Sequence, residues 1–406
     1  MSEREVKAIE AILHNNSLLD ELGLLPHDFT KAENRNVFCA MSELINDGVH
    51  CDVMALYGSG KVDASLAMQY EPLTGANAKY YSDLLKEDTK RRQIATLSMY
   101  VSDLLKTKKD SNDIIGEIES ELYKIQERKD SEVKHVKEYL YPAIEEIEEA
   151  HKNQGSIVGV ETGYSDLDNT LNGLHGGDII VLAARTSIGK TAFAINMATN
   201  MGIAGTKVVF FSCEMNATQI AKRMLSSVAN ISHKSCVNGN VQESDFTRMT
   251  EAGSKLFNSG IYLDDTPNIP FQELRSKARI MKRHGMQVIF IDYLTLVKFG
   301  DAKTPRFERV GELVKEIKTL ARQLNVPIVV LSQLNRQAEG VKPTLSELRQ
   351  SGEIEEDADV VLFLHRERGD SDTALIIAKH RDGATGECSL DFNEQTVTFK
   401  PGVNKW

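Results

Sequence analysis

The chain has 406 residues, of which 41% are hydrophobic, and a formal net charge of −11 at pH 7. This length predicts two domains, at least one large enough to bury a full α/β core. Five scattered cysteines form no CxxC pair, which argues against a zinc ribbon and a disulfide framework: Cys39, Cys51, Cys213, Cys236 and Cys388. No secretory leader opens the chain, and no apolar run reaches the roughly 20 residues that span a bilayer, so we expect a cytoplasmic protein without membrane contact.

The N-terminal part of the chain is predicted to be helical and acidic. Residues 1–154 hold 19 Lys and Arg against 29 Asp and Glu, whereas residues 155–406 hold 29 against 30. The acidity therefore does not argue against nucleic-acid binding by the second part. Apolar residues recur at helical spacing near the start, at Val6, Ile9, Ile12 and Leu13. We predict an all-α N-terminal domain over residues 1–105.

A helical hairpin and a linker helix are predicted over residues 106–154. Each helix carries an apolar stripe, the first formed by Ile114, Ile118, Leu122 and Ile125 and the second by Tyr139, Leu140, Ile144 and Ile147. Amphipathic helices bury such stripes against another surface, which here is either a separate partner or the parent domain. Gly155 and Gly159 mark the start of the second domain, residues 155–406.

The second domain is predicted to be an α/β fold with a mostly parallel sheet. Strand-like apolar runs alternate with helical segments and cover residues 178–184, 207–212, 287–292, 327–332, 359–364 and 374–379. Such alternation is typical of a parallel sheet that is covered by helices on both faces. In these sheets ligands bind beyond the carboxyl ends of the strands. The residues that end each run are therefore the candidates for a functional site.

A phosphate-binding loop is predicted directly after the first run. Its residues are Ala184, Arg185, Thr186, Ser187, Ile188, Gly189, Lys190 and Thr191. A loop between a buried strand and a helix directs backbone N–H groups and the positive helix end at an anion. Lys190 would reach the β- and γ-phosphates and the Thr191 hydroxyl would hold Mg²⁺. Ala184 occupies a position where glycine is usual, and the alternative is a chance Gly-Lys-Thr in a loop.

Two carboxylates follow neighbouring runs. Glu214 comes just after the second run, where it can accept a proton from a water that attacks the γ-phosphate. Asp292 ends the third run after four apolar residues and is predicted to support the magnesium shell, directly or through water. The alternatives are an exposed acidic residue for Glu214 and a helix N-cap for Asp292.

Three polar residues lie at or just after the ends of later runs. Gln333 directly follows the fourth run, where an uncharged amide can sense the γ-phosphate and relay its loss to the following loop. Lys379 ends the sixth run, Arg381 follows it by two residues, and both could stabilise charge on a phosphate bound to a neighbouring subunit. The alternative for this pair is a solvated basic strand end.

The motifs resemble those of the DnaB family of hexameric replicative DNA helicases, in the same order along nearly the whole chain. The matching segments are 162–168, 183–191, 211–215, 291–294, 325–327 with 331–336, and 348–355. The resemblance implies a RecA-type ATPase domain that is joined by a linker helix to an N-terminal helical domain. It also implies a homo-hexameric ring around single-stranded DNA and the use of ATP with Mg²⁺. The family commonly carries alanine at the position of Ala184.

The resemblance also implies roles for individual residues. Lys190 and Thr191 would bind phosphate and magnesium, with Asp292 supporting the metal. Catalytic roles are implied for Glu214, which would activate water, for Gln333, which would sense the γ-phosphate, and for Lys379 and Arg381, which would act on the neighbour's nucleotide. The loop that contains Arg349, Gln350 and Gly352 would line the central channel and contact DNA phosphates. Gln350 stands where the family usually has glutamate.

Elementary chemistry agrees with a DNA contact at this loop. Arg349 can make a charge-assisted contact to a phosphate, and a Ser-Gly sequence beside it exposes backbone N–H groups. A second basic segment, residues 298–309, carries Lys298, Lys303, Arg306 and Arg309 and could also face DNA. The alternative for this segment is a solvated loop.

We therefore expect an ATP-dependent helicase that acts on single-stranded DNA, and the resemblance to the family implies that it moves 5′ to 3′. A recombinase-type ATPase that forms open filaments and a nucleotide-switched assembly protein are the alternatives. A fused primase is disfavoured because no CxxC zinc module precedes the ATPase domain. Primase and a helicase loader are candidate partners, and the host could be a bacterium or a phage-infected cell.

Overall fold

A computed structural model describes residues 2–71, 77–107, 109–126, 135–152, 157–300, 305–334, 342–367 and 369–402. The chain divides into two compact units, residues 1–143 and 144–406. Each unit is described by itself below. The domain limits expected from the sequence, after residues 105 and 154, stay predictions.

The N-terminal unit is built from helices. They are α1 (Ser2–His14), α2 (Leu18–Leu22), α3 (Ala32–Asn46), α4 (Val53–Gly58), α5 (Ala64–Ala67), α6 (Ala78–Leu104), α7 (Ser111–Gln126) and α8 (Lys137–Lys152), the last of which crosses the limit between the units. The apolar residues of α1 and α3 that recur at helical spacing meet in one core, which includes Ile9, Ile12, Val37, Phe38 and Met41. Helix periodicity therefore identified the core-facing residues of α1.

A buried carboxylate joins α1 to the start of α3. Glu5 is almost fully buried and accepts hydrogen bonds from the Thr30 amide at 2.7 Å and from Asn34 Nδ2 at 2.6 Å, as well as from the Thr30 hydroxyl. The Tyr70 hydroxyl donates to Asn34 Oδ1 at 2.7 Å and extends the network. Burial alone raises the pKa of Glu5, but the hydrogen bonds from Thr30 and Asn34 outweigh it and lower the pKa below its usual value.

The second unit is an α/β layer structure around one sheet. Its strands are β1 (Ile179–Ala184), β2 (Val208–Ser212), β3 (Ile261–Asp264), β4 (Val288–Asp292), β5 (Ile328–Gln333), β6 (Val360–Arg366), β7 (Asp372–His380), β8 (Gly386–Asn393) and β9 (Thr398–Pro401). The helices are α9 (Ser165–Leu171), α10 (Lys190–Ile203), α11 (Ala217–Ala229), α12 (His233–Asn238), α13 (Glu243–Phe257), α14 (Phe271–Arg283), α15 (Arg306–Leu324) and α16 (Gly352–Asp357).

The strand order is β3-β2-β4-β5-β1-β6-β7-β8-β9. The strands from β3 to β6 in this order pair in parallel, and β7, β8 and β9 continue the sheet antiparallel. Every residue of β1 is buried, because Ile180 and Leu182 face one apolar core while Ile179 and Val181 face another. The predicted α/β fold with a mostly parallel sheet is therefore confirmed.

The direction of β7 differs from that of the strands before it. All six apolar runs in the sequence form strands, but β7 pairs antiparallel with β6, with Val361 opposite Lys379. Apolar composition marks a buried strand without stating its direction, so the end of the sixth run lies at the opposite edge of the sheet from the ends of the others. Within the described residues, no helix is long and apolar enough to cross a membrane.

Candidate active site

The carboxyl ends of the parallel strands meet at one edge of the sheet. Ala184 at the end of β1 pairs in register with Gln333 of β5, and Ser212 at the end of β2 pairs with Asp292 of β4. Glu214 follows β2 by two residues. The structure therefore brings the phosphate-binding loop to the same edge as these candidate residues, as expected for a parallel sheet.

The phosphate-binding loop has a backbone suited to close contact with an anion. Ser187 and Gly189 have φ values of +68° and +109°, and Gly189 is the N-cap of the 14-residue helix α10. The first amides of α10 therefore lack helical partners and are available to a phosphate. Ala184 is buried as the last residue of β1, and its carbonyl accepts from the Leu334 amide at 3.1 Å. A nucleotide contact by Ala184 stays a prediction.

Lys190 lies among an aromatic ring and two carboxylates. Its Nζ is 5.2 Å from the centre of the Tyr293 ring. Burial lowers the pKa of Lys190, and the negative charges of Asp292 and Glu214 act in the opposite direction. Sequence analysis missed Tyr293, although its position directly after Asp292 was a signal.

Asp292 is fully buried at the end of β4. Neither of its carboxylate oxygens has a hydrogen-bond partner of ordinary geometry among the described residues. Burial raises the pKa of Asp292, whereas the charge of Lys190 and an interaction with the Thr191 hydroxyl lower it. A carboxylate and a hydroxyl beside it are oxygen donors of the kind that Mg²⁺ prefers, so these residues fit a magnesium ion.

Glu214 is exposed at the mouth of this group, and Arg223 of α11 lies near both acids. Burial lowers the pKa of Arg223, and the charges of Asp292 and Glu214 oppose that shift. Sequence analysis missed Arg223, because an arginine in the middle of an amphipathic helix carries no signal of its own. The arrangement places an exposed base beside a buried acid and two cations, as phosphoryl transfer requires.

Gln333 is bonded to the phosphate-binding loop. Its Nε2 donates to the Thr186 hydroxyl at 2.5 Å. The end of β5 is thus tied to the loop in which a phosphate would lie, which suits the predicted sensing role of Gln333.

The 345–357 segment consists of a 3₁₀ helix, Leu345–Ser351, and α16. Glu347 of this segment forms an ion pair with Arg185 of the phosphate-binding loop, with Nη2 and Oε2 3.3 Å apart. The backbone at Arg349, Gln350 and Gly352 belongs to the segment, but the placement of their side chains lies outside what the structure describes. Their contact with DNA stays a prediction.

The second basic segment is described in part. Lys298 is exposed and Arg309 is half-buried. Lys303 lies outside the described residues, as does the side chain of Arg306. A DNA contact by this segment stays a prediction.

Lys379 and Arg381 lie at the opposite edge of the sheet from the phosphate-binding loop, because β7 runs antiparallel. Lys379 Nζ donates to the backbone carbonyls of Glu355 and Glu356 at 2.6 and 3.2 Å. Arg381 donates to Asp359 Oδ1 at 3.0 Å and to the Glu356 carbonyl at 3.2 Å. The structure therefore does not bring these cations to the phosphate-binding loop of the same chain.

Aromatic residues from the last strands support the phosphate-binding loop. A Cβ atom at Gly189 would lie 2.9 Å from the Phe399 ring, so only glycine fits there without a shift. The backbone of Phe399 is held by Asn196 Oδ1, which accepts from its amide at 2.8 Å, and by the Tyr164 hydroxyl, which donates to its carbonyl at 3.2 Å. The apolar runs in the sequence did not predict β9. Sequence analysis therefore missed the contact of Phe399 with the phosphate-binding loop.

Known proteins resemble this chain over most of its length. Residues 159–401 match the family model of the DnaB-like helicase C-terminal domain. The replicative DNA helicase DnaC of Bacillus subtilis strain 168 is 36% identical over 93% of this chain and 88% of its own length. The replicative DNA helicase DnaB of Geobacillus stearothermophilus is 34% identical over the same shares of the two chains.

Solved structures give the same assignment. A DnaB-like replicative helicase, whose structure was reported with its interactions with primase, has a TM-score of 0.75 and 28% identity and covers 98% of this chain and 99% of its own. A separately solved ATPase domain has a TM-score of 0.62 and 33% identity over 65% of this chain and 98% of its own.

These relatives confirm the resemblance seen in the sequence and favour a helicase over the recombinase and assembly-protein alternatives. The match of the family model over more than half of the chain, together with relatives that cover nearly all of it, decides the family. The chain belongs to the DnaB family of ATP-dependent replicative DNA helicases.

Proposed function

We propose that the protein is the subunit of a homo-hexameric ring that hydrolyses ATP between subunits and moves 5′ to 3′ on single-stranded DNA, unwinding the duplex ahead. The observation that carries this proposal is the division of the site between two edges of one sheet. Lys190, Glu214 and Asp292 lie at the carboxyl edge, and Lys379 and Arg381 lie at the opposite edge. If Lys379 and Arg381 act on a bound nucleotide, they would therefore act on that of another copy of the chain.

At the carboxyl edge, this chain would supply most of the hydrolytic groups. ATP with Mg²⁺ supplies the phosphoryl group and the metal charge when bound. The amides at the start of α10 and the Lys190 ammonium would hold the phosphates, and the Thr191 hydroxyl and the buried Asp292 would hold the magnesium. Glu214 is exposed and therefore free to take a proton from the attacking water.

The positions of the two groups of residues support a ring. A contact that joins one edge of a subunit to the opposite edge of the next is heterologous, and such contacts close into rings when the rotation per subunit allows it. The apolar stripe on α8 supports assembly, because Tyr139, Leu140, Ile144 and Ile147 are at least half exposed. Arg381 of one subunit would then act on the nucleotide of the next.

Single-stranded DNA is proposed to bind the 345–357 segment. The contacts assigned to it are phosphate contacts by Arg349, Gln350 and the backbone at Gly352, so binding would depend strongly on salt and weakly on sequence. Because a similar helicase was solved with its interactions with primase, primase is a proposed partner of this chain as well. On the same family grounds, we propose a helicase loader as a second partner. We also propose that the protein acts in the cytoplasm of a bacterium or of a phage-infected cell.

A forked-DNA unwinding assay tests the proposal. The full chain with ATP and Mg²⁺ should separate a fork that carries a 5′ single-stranded tail and leave a fork with only a 3′ tail paired. The Glu214→Gln variant should still assemble and bind DNA but lose ATP hydrolysis and unwinding by at least about a hundredfold, since it removes the proton acceptor. Unwinding of the 3′-tailed fork would contradict the polarity, and unwinding of neither fork by assembled rings would contradict the helicase proposal.

A further inference from the structure

The ion pair between Arg185 and Glu347 connects the phosphate-binding loop directly to the 345–357 segment. We propose that this pair couples nucleotide occupancy to DNA affinity within one subunit, with Glu347 as the positioning residue. The inference rests on the proposed function, because it takes the 345–357 segment as the place where DNA binds.

Shielding from solvent makes this pair more than a surface contact. The side chains of Arg185 and Glu347 are 18% and 12% exposed. Exposed ion pairs contribute little, whereas breaking a pair that is withdrawn from water is costly. The Arg185–Glu347 contact therefore has enough energy at stake to bias the position of the segment.

A second contact joins the phosphate-binding loop to the end of β5. Arg185 pairs with Glu347, and the adjacent Thr186 accepts from Gln333 at the end of β5. Residues 333 and 347 bracket the connection from β5 to the 345–357 segment. A movement of Arg185 and Thr186 in the phosphate-binding loop would therefore alter contacts on both sides of this connection.

Coupling requires that the nucleotide interact differently with two states of the protein. Here the two states are Arg185 paired with Glu347 and Arg185 turned toward the phosphates. Phosphates bound in the loop bring negative charge beside Arg185 and compete with Glu347 for the guanidinium. When Arg185 turns to the phosphates, Glu347 is released and the segment that contains Arg349 is free to take up the position for DNA. The nucleotide therefore raises DNA affinity by removing a restraint.

The test measures DNA affinity in two nucleotide states. Fluorescence anisotropy of a labelled single-stranded oligodeoxythymidylate gives the dissociation constant for the assembled full chain, without nucleotide and with Mg²⁺ and a non-hydrolysable ATP analogue. In the wild type the analogue should tighten binding. In Glu347→Gln the ratio of the two dissociation constants should move toward one by about fivefold or more, mainly through tighter binding without nucleotide.

Two further variants separate coupling from a merely structural role. Glu347→Asp keeps the charge and should restore much of the wild-type ratio. Glu356→Gln removes the same charge from an exposed position of the same segment and should keep the wild-type ratio. Loss of DNA affinity in both nucleotide states, or an unchanged ratio in Glu347→Gln, would overturn the inference. An uncoupled wild type that still unwinds forks would overturn it while leaving the helicase proposal intact.

Discussion

Asp292 and Lys190 illustrate how the fold holds opposite charges in a site before any ligand arrives. Burial disfavours the charged form of both groups, and each partly offsets the penalty of the other. Burying these charges lowers the stability of the folded protein. It would favour ligand binding, since the phosphates would pair with Lys190 and a magnesium ion with Asp292.

The cost can be measured by replacing the buried carboxylate with its neutral isostere. Asp292→Asn should abolish ATP hydrolysis. Its melting temperature, measured without nucleotide or magnesium, should equal or exceed that of the wild type, which corresponds to a gain of up to about 1 kcal/mol in the free energy of unfolding. Glu214→Gln is the matched control, because it should also abolish hydrolysis but removes an exposed charge and should not raise the melting temperature. A fall of several degrees in Asp292→Asn would contradict this account.

At the residue scale, sequence predicted the groups that end strands and missed those that come from elsewhere. Asp292 and Gln333 were visible because an apolar run ends in a polar residue. Arg223 enters the site from the middle of α11, and its approach depends on how that helix packs. Phe399 is brought to the phosphate-binding loop by the sheet. Neither position has a local pattern that could have identified it.

Among the elements, α16 is held at its C-terminal end by two cations, Lys379 of β7 and Arg381, which follows β7. Helix ends leave backbone carbonyls without intrahelical partners, and Lys379 and Arg381 supply donors to those of Glu355 and Glu356. The same two cations are proposed to act on the neighbour's nucleotide. If they move there, α16 loses its C-terminal partners, so its stability would depend on the adjacent subunit.

Replacing Lys379 tests this dependence without nucleotide or DNA. Lys379→Met should increase amide hydrogen exchange within residues 353–357 by about fivefold, since a net hydrogen bond contributes about 1 kcal/mol. Lys400→Met is a suitable control, because it removes an exposed lysine from β9 of the same sheet. Equal exchange in wild type and Lys379→Met would show that the contacts do not hold the helix.

Glu5 makes a comparable connection between α1 and α3 that depends on pH. Because its pKa is lowered in the folded state, Glu5 contributes stability above its unfolded value near 4.5, and this contribution is lost as pH falls through the folded value. Hydrogen exchange of residues 2–46 in the full chain should therefore rise more steeply with acid in the wild type than in Glu5→Gln. The variant should be less protected at neutral pH. Parallel acid profiles for the two proteins would be inconsistent with this role.

Element positions were more predictable than element directions. Six apolar runs located six strands. Five of these strands are buried on both faces, which demands continuous apolar sequence, whereas β7 is fully buried only at alternate residues. The short edge strand β3 and the half-exposed β8 and β9 lack that signal. The antiparallel direction of β7 depends on a short connection and on pairing with β6, which a local pattern does not encode.

For the whole molecule, the decisive feature is that the two groups of candidate catalytic residues lie at opposite edges of one sheet. In the proposed ring, a subunit with a defective phosphate-binding loop would still offer intact cations to its neighbour, and a subunit with defective cations would still offer an intact loop. Defects in the two groups should therefore complement each other between subunits.

Mixing two inactive proteins tests this expectation. Lys190→Ala and Arg381→Ala should each hydrolyse little ATP alone. When the two are unfolded or dissociated together and reassembled in equal amounts, about one interface in four should combine an intact loop with an intact Arg381, so DNA-stimulated hydrolysis should recover to about that fraction. Absence of recovery, in rings shown by mass spectrometry to contain both variants, would contradict the proposed action of Arg381 on the neighbour's nucleotide.

The contact between Gly189 and Phe399 has a consequence for biosynthesis. The phosphate-binding loop leaves the ribosome some 200 residues before the strand that supports it. The central parallel strands can pair while the loop still lacks the aromatic wall formed by β9. A nascent or prematurely terminated chain thus carries the phosphate-binding sequence without its finished support. We therefore expect the nucleotide site to be completed only after the last strand has been made.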